Sequence, residues 1–330
     1  MQEERYLFLG GHRKCGTTLL LNLLDGHSGL CAYPTDISVL YGYFPVWTAS
    51  GCSDEEKLDR LDRVVFGTLH KLRSRHGLED VLPVEAMREE FFDELDPTAL
   101  GEIDSIIRQI IRSYRNATGQ EVAEKPLVVI KETSSEIYGL ELAEKFPDAQ
   151  FLGLVRDPRD NLGALRAGLD KHYRKFGEQE RHILASMIHR TSVGLKMMER
   201  NRKLMGETRV KSLLFEDLVG NCERAMADVV DFLGIGFEQT LTGPTVMGRP
   251  TTGNNYDGKV FKEVTAENIS KWRERISDFE AKVIEFHLES EMNEYGYLRA
   301  FNEREQAEAA AEFYKWANYE YFFKDSFSAL

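Results

Sequence analysis

Gly11, His12, Arg13, Lys14, Cys15, Gly16, Thr17 and Thr18 lie between a short apolar run, Tyr6-Leu7-Phe8-Leu9, and a leucine-rich run from Leu19 to Leu24. The first run suits a buried strand and the second a buried helix. A strand, a glycine-bounded loop and a helix together aim unpaired backbone N–H groups at one point, where an anion can bind. Gly16 lets the backbone approach a phosphate closely, and Thr17 and Thr18 add hydroxyl donors where the helix starts. Lys14 adds a mobile positive charge where the helix dipole already favours an anion. The spacing Gly11-x-x-x-x-Gly16 matches the first half of a nucleotide-triphosphate loop. The Lys-Ser/Thr pair that should follow is replaced by Thr17-Thr18, and the lysine stands inside the loop. Two readings fit these residues alone: an anion site, or a plain tight turn from strand to helix.

A second stretch, Phe151 to Arg159 (FLGLVRDPR), ends a strand in Arg156 just before Asp157-Pro158. Lys14-Cys15-Gly16-Thr17-Thr18-Leu19 resembles the 5′-phosphosulfate loop of the sulfotransferases that use 3′-phosphoadenosine 5′-phosphosulfate (PAPS). That loop usually reads Lys or Arg, a small residue, Gly, Thr, Thr. Phe151 to Arg159 is similar to the same family's 3′-phosphate motif, at the expected separation. Val210 to Phe215 with Glu216-Asp217-Leu218, and Phe232-Leu233-Gly234 after it, resemble a late stretch of the family. Family-like features cover most of the chain, from about residue 5 to about residue 300, in the manner of a divergent bacterial-type member.

The resemblance implies sulfuryl transfer from PAPS to a hydroxyl or amine of a small or medium-sized acceptor, a small molecule or a glycan-like one, leaving 3′-phosphoadenosine 5′-phosphate. Lys14 would meet the leaving oxygens, with Arg13, Cys15, Gly16, Thr17 and Thr18 completing the loop. Arg156 would hold the 3′-phosphate; an ion pair with Asp157 or Asp160 is the alternative for it. Ala164 stands where the family usually has a 3′-phosphate serine, so Arg166, or Arg249 and Lys259 in the loop from Gly243 to Lys262, are expected to compensate. The family's middle-strand histidine is replaced by Lys131-Glu132-Thr133. The general base is therefore expected to be a carboxylate, with Asp36 first, then Glu132 and Glu136. For Asp36 a turn or cap after Pro34-Thr35 is the plainer alternative. Cys15 is read as a packing residue, with a thiol activated at the helix start as the other possibility. The histidines are scattered and no metal is expected. Two rivals are kept: a P-loop kinase or triphosphatase, which would need a lysine after Gly16 and a strand ending in Asp, and a non-catalytic nucleotide-binding scaffold.

The whole chain has 330 residues, 42% of them hydrophobic, enough for a sizeable core. Its net charge is −13, from 55 acids against 42 bases. That balance disfavours a nucleic-acid partner, which needs a basic surface, and leaves only a local basic cleft for anionic ligands. Cys15, Cys31, Cys52 and Cys222 form no CxxC pair, and free thiols in a reducing, cytoplasmic setting are expected. The first strand begins almost at once, so no signal peptide is expected, and no apolar run reaches the ~18 residues of a membrane span.

The elements that must position these residues alternate. Strands are expected at Leu30–Tyr33 (ended by Pro34), Pro126–Ile130, Gln150–Val155 and Val210–Phe215. Helices are expected at Ser53–Arg75, Pro83–Leu95, from Asp96-Pro97 to Thr118, and at Glu136–Phe146, Asn161–Phe176, Arg181–Met205, Ala266–Glu291 and Glu303–Ala311. The alternation predicts an α/β fold, a P-loop-like doubly wound parallel sheet flanked by helices. It would form one domain over 1–300, with a helical insertion or lid over about 53–120. Tyr41, Tyr43, Phe44 and Trp47 either line an acceptor pocket or form a core patch. An aromatic-rich helical extension at 301–330 would pack on its own domain or make a homo-oligomer.

Overall fold

A computed structural model describes residues 4–48, 51–119, 127–170, 174, 180–251 and 263–316. Five strands, β1 (Arg5–Gly10), β2 (Leu30–Asp36), β3 (Leu127–Lys131), β4 (Gln150–Val155) and β5 (Val210–Leu214), form one sheet in the order β2-β3-β1-β4-β5, and every pairing is parallel. Parallel neighbours need long crossovers, and these carry the helices. Side chains alternate across the sheet. Tyr6, Phe8, Cys31, Tyr33, Val128 and Ile130 enter one core, and Leu7, Leu9, Ala32, Val129, Leu152 and Leu154 enter the other.

The first face is covered by α2 (Val39–Gly42), α3 (Asp54–Leu61), α4 (Gly67–His76), α5 (Val84–Glu94), α6 (Ile103–Thr118) and α7 (Gly139–Lys145). Ser53 starts α3 through a capping box with Glu56, which satisfies two otherwise orphaned N–H groups. The apolar stripe Ile103, Ile106, Ile107, Ile110, Ile111 and Tyr114 of α6 packs into the sheet core. This segment is thus a structural layer of the sheet. The second face is covered by α1 (Thr17–Leu24), α10 (Phe215–Gly220) and α11 (Cys222–Leu233). A third core joins α8 (Pro158–Ala167) and α9 (Glu180–Met205) to the C-terminal helices.

Among the boundaries that differ from the sequence expectation, three have a clear local reason. Pro34 does not end β2, which runs on to Asp36. β2 is an edge strand, where a missing N–H costs no ladder bond, and its register against β3 shifts between Ala32 and Asp36. The Ala266–Glu291 helix is instead α12 (Trp272–Arg275), α13 (Asp278–His287) and α14 (Glu289–Glu294), because Ser277 opens a fresh helix through its capping box with Glu280. The Glu136–Phe146 helix begins as a 3₁₀ turn, Ser135–Tyr138, before α7. The last helix, α15 (Glu303–Tyr314), packs on α13 through Ala309 and Phe313. The remaining aromatics of the extension, Tyr319 to Phe323, lie outside the described residues. No helix among the described residues is long and apolar enough to cross a membrane.

Candidate active site

The C-terminal ends of β1, β3 and β4 meet at one edge. The chain leaves β3 on one side of β1 for β4 on the other, and such reversals are where open α/β sheets bind ligands. Gly16 precedes α1 at φ 107°, a conformation L side chains rarely adopt, and an added Cβ would stand 2.5 Å from Phe215. Glycine is needed there on both counts. Lys14 is itself left-handed at φ 65°, an unfavourable setting that a fold retains when something else over-determines it. No side chain caps α1, so its first amides have no partner within the helix.

Behind the loop, Gly11 N donates to Glu136 Oε2 at 2.8 Å, and Ser134 N donates to Gly11 O at 3.0 Å. Burial raises the Glu136 carboxyl above the usual range. Glu136 is thus a support under the loop. Cys15 is fully buried and its thiol is pushed up to about 12, first by burial and then by Glu136. The activated-thiol possibility is thereby corrected, since desolvation of a thiolate outweighs the helix dipole here. His12 is also buried in the loop. Asn161 Nδ2 donates to its Nδ1 at 3.0 Å, and burial lowers it to about 4, leaving a neutral ring at pH 7.

Arg156 is 5% exposed. It donates to Lys14 O at 3.0 Å and to Asn268 O at 3.1 Å, and its guanidinium lies 4.4 Å from the Phe215 ring centroid. Burial lowers its pKa. The ion-pair alternative does not hold. Asp157 is bound to Arg159 at 2.7 Å, and Asp160 accepts from Ser270 N at 2.6 Å and Trp272 N at 2.7 Å. Arg156 therefore has carbonyl partners, and its Nε has no protein acceptor among the described residues; the same is true of Ser134 Oγ as a buried hydroxyl without a partner. A buried guanidinium held by carbonyls alone, beside an uncapped helix start, fits a ligand bearing two separated anionic groups.

Arg13 donates to Ser186 Oγ on α9 at 3.1 Å. Asp36 is ion-paired to buried Lys131 and accepts from Thr133 N at 3.2 Å. Glu132 accepts from Leu40 N at 2.8 Å and Tyr41 N at 2.6 Å, which fastens α2 to the end of β3. Burial pushes its carboxyl up to about 8. The structure does not bring Arg249 or Arg166 to the loop. Arg249 is ion-paired to Asp80 and donates to Gly77 O at 2.8 Å, while Arg166 is paired with Glu180 and Glu280. Lys259 lies outside the described residues. Sequence reading missed Ser134, Asn161 and Asn268, because nothing in their spacing distinguishes them from ordinary loop and helix polars.

Comparison with known proteins gives the same architecture and a family. The chain is similar to the omega-hydroxy-beta-dihydromenaquinone-9 sulfotransferase Stf3 of Mycobacterium bovis, 25% identical over 255 residues, which cover 70% of this chain and 63% of that protein. It is also similar to protein-tyrosine sulfotransferase 2 of Gallus gallus, 24% identical over 82% of this chain and 64% of that protein. The chain thus spans just under two thirds of the length of these curated relatives. Among solved structures, the sulfotransferase domain from the curacin biosynthetic pathway superposes with a TM-score of 0.58 at 16% identity, covering 90% of this chain and 99% of that domain. That likeness concerns the fold alone. The Sulfotransferase family model matches residues 7–239, taking in the loop, Arg156 and β5, and on that match the chain belongs to the sulfotransferase family.

Proposed function

We propose that this protein transfers a sulfuryl group from PAPS to a hydroxyl, or an amine, of a small or medium-sized acceptor. One observation carries the reading: two anion-ready positions stand at the C-terminal ends of two neighbouring strands, β1 and β4. The uncapped start of α1 follows β1, and the Arg156 guanidinium ends β4, 3.0 Å from the Lys14 carbonyl. When bound, the donor supplies an activated sulfuryl group on a phosphate leaving group. Lys14, Gly16, Thr17 and Thr18, with Arg13 and Cys15 in the same loop, are the residues that would hold its 5′-phosphosulfate; Arg156 would hold its 3′-phosphate. The protein's work is then positioning and stabilisation of charge on the leaving oxygen. The two relatives are named for an omega-hydroxy compound and for protein tyrosine, which favours a hydroxyl acceptor. The four cysteines are free thiols, as suits a reducing cytoplasm.

Calorimetric titration tests the donor assignment. 3′-Phosphoadenosine 5′-phosphate is expected to bind much more tightly than ADP or ATP. Equal affinity for ADP removes the 3′-phosphate assignment.

Asp36 is the proposed general base, because its side chain is partly exposed at this edge whereas Glu132 is buried; the oxygens of both are already bonded, those of Asp36 to Lys131 and Thr133 and those of Glu132 to backbone amides. Asp36→Asn is expected to keep nucleotide affinity and lose turnover on the order of a hundredfold. Glu132→Gln should instead cost about 1–3 kcal/mol of stability, since an amide cannot accept from both donors as a carboxylate does. Wild-type turnover in Asp36→Asn with loss in Glu132→Gln would place the base at the end of β3. Wild-type turnover in both would exclude a carboxylate base from either position.

A further inference from the structure

One face of α9 meets the site at positions i, i+4 and i+8, namely Ser186, Arg190 and Gly194. Ser186 accepts from Arg13 of the loop. Gly194 lies against Glu136, where an added Cβ would stand 2.6 Å from Oε1. Arg190 falls between them, its guanidinium 5.0 Å from the centroid of the Tyr41 ring. Tyr41 is in turn pinned to the end of β3 through the hydrogen bond that its backbone N–H donates to Glu132. Arg190 is therefore set between the phosphate-type loop on β1 and the α2 wall on the β2–β3 side.

Arg190 makes no hydrogen bond and no ion pair among the described residues; its contact is the Tyr41 ring. Two buried arginines of the chain are differently placed: Arg159 has Asp157 and Glu285, and Arg156 has two carbonyls. Burial, and then the charge of Arg13, push Arg190 down to about 10, so it stays charged at neutral pH. A partly desolvated guanidinium with no carboxylate partner among the described residues, and with the charge of Arg13 acting on it, gains from an anionic ligand. In a chain with 55 acids and a net charge of −13, partners for it would be easy to supply. Tyr41 is 60% exposed, so its ring both orients the guanidinium and leaves surface for a second flat or apolar group. The donor's anionic groups belong to the loop and to Arg156, on β1 and β4, whereas Tyr41 stands on the other side of the loop.

We infer that Arg190 and Tyr41 form the recognition subsite for the acceptor, and that the acceptor is an alcohol or phenol that also carries an anionic group. Arg190 supplies a planar, bidentate cation for that group, and its identity sets the preference for charged over neutral acceptors. This rests on the sulfotransferase reading. The test is calorimetric, on protein saturated with 3′-phosphoadenosine 5′-phosphate. The probes are 4-(hydroxymethyl)benzoate, 4-(hydroxymethyl)phenyl phosphate and the neutral 4-(hydroxymethyl)benzamide, titrated into the wild type, Arg190→Gln and Arg190→Lys. One anion or both should bind the wild type at least about tenfold more tightly than the amide. The preference should vanish in Arg190→Gln and survive in weakened form in Arg190→Lys. Equal binding of the three probes, no measurable binding of either anion, or a preference retained in Arg190→Gln would overturn the inference. The nucleotide titration on each variant is read first. If the wild type fails to bind the nucleotide, the sulfotransferase reading fails; if it binds and shows no anion preference, only the acceptor subsite fails. Nucleotide affinity kept in Arg190→Gln also shows that the variant is folded.

Discussion

Lys14→Ala is expected to lower turnover by about a hundredfold or more while the protein stays folded. Sulfuryl transfer offers little covalent chemistry for a protein to perform, so a charge placed where the leaving oxygen becomes negative is worth on the order of 3 kcal/mol or more in the barrier. The same side chain contributes little to folding. It is partly exposed on a loop whose conformation is set by Gly11, Gly16 and the Glu136 support beneath. The bond from Arg156 reaches the Lys14 carbonyl, which alanine retains. Alanine at φ 65° carries much the same backbone strain as lysine. The measurement is the saturated rate with the true acceptor, beside a denaturant midpoint. Near-normal turnover in a folded Lys14→Ala protein removes Lys14 from the mechanism.

Arg156→Ala should act on binding more than on the saturated rate. On the proposed donor assignment Arg156 meets the 3′-phosphate, which does not react, so that contact would be uniform binding and would appear in KM. A hydrogen bond to a charged group is worth about 1.5–3 kcal/mol, so the donor KM should rise roughly ten- to a hundredfold. Ala164 offers no hydroxyl to share the load, which puts the effect toward the upper end. The variant should also lose stability, because the carbonyls of Lys14 and Asn268 lose their donors. Arg156→Lys separates the two effects by retaining a charge without the forked donor. An unchanged donor KM in Arg156→Ala would make Arg156 a purely structural arginine. The next base to examine would then be Arg275, which donates to Asn268 Oδ1 at 3.2 Å and packs over Gly163, beside Ala164.

The loop and the strand ends were legible because their signals are local. A glycine that must be left-handed, an apolar run of strand length and an arginine ending such a run all depend on neighbours a few residues away. So did the start of α3 at Ser53, whose cap partner Glu56 is three residues on. The carboxylates were not legible in this way. Asp36 and Lys131 are 95 positions apart and meet because β2 continues through Pro34 along the edge of β3. Glu132 looked like a base candidate, yet its oxygens hold the amides of Leu40 and Tyr41, 92 and 91 positions away.

By itself, the order of residues determined a parallel α/β sheet, the glycine-bounded loop after its first strand and the arginine after its fourth, because each follows from periodicity and short-range backbone geometry. Only the tertiary structure decided which charges are already spent. Asp157 and Asp160, the nearest carboxylates in sequence to Arg156, bind Arg159 and the amides of Ser270 and Trp272. Arg249 is bound to Asp80 on the helical layer, and Glu136 became the buried prop under Gly11. Arg190, one of many charged residues on a long helix, came to stand between the loop and Tyr41 with no counter-ion among the described residues. Partner choice for a charge depends on distance in space and on desolvation, and both are set by how helices are laid against the sheet rather than by spacing along the chain.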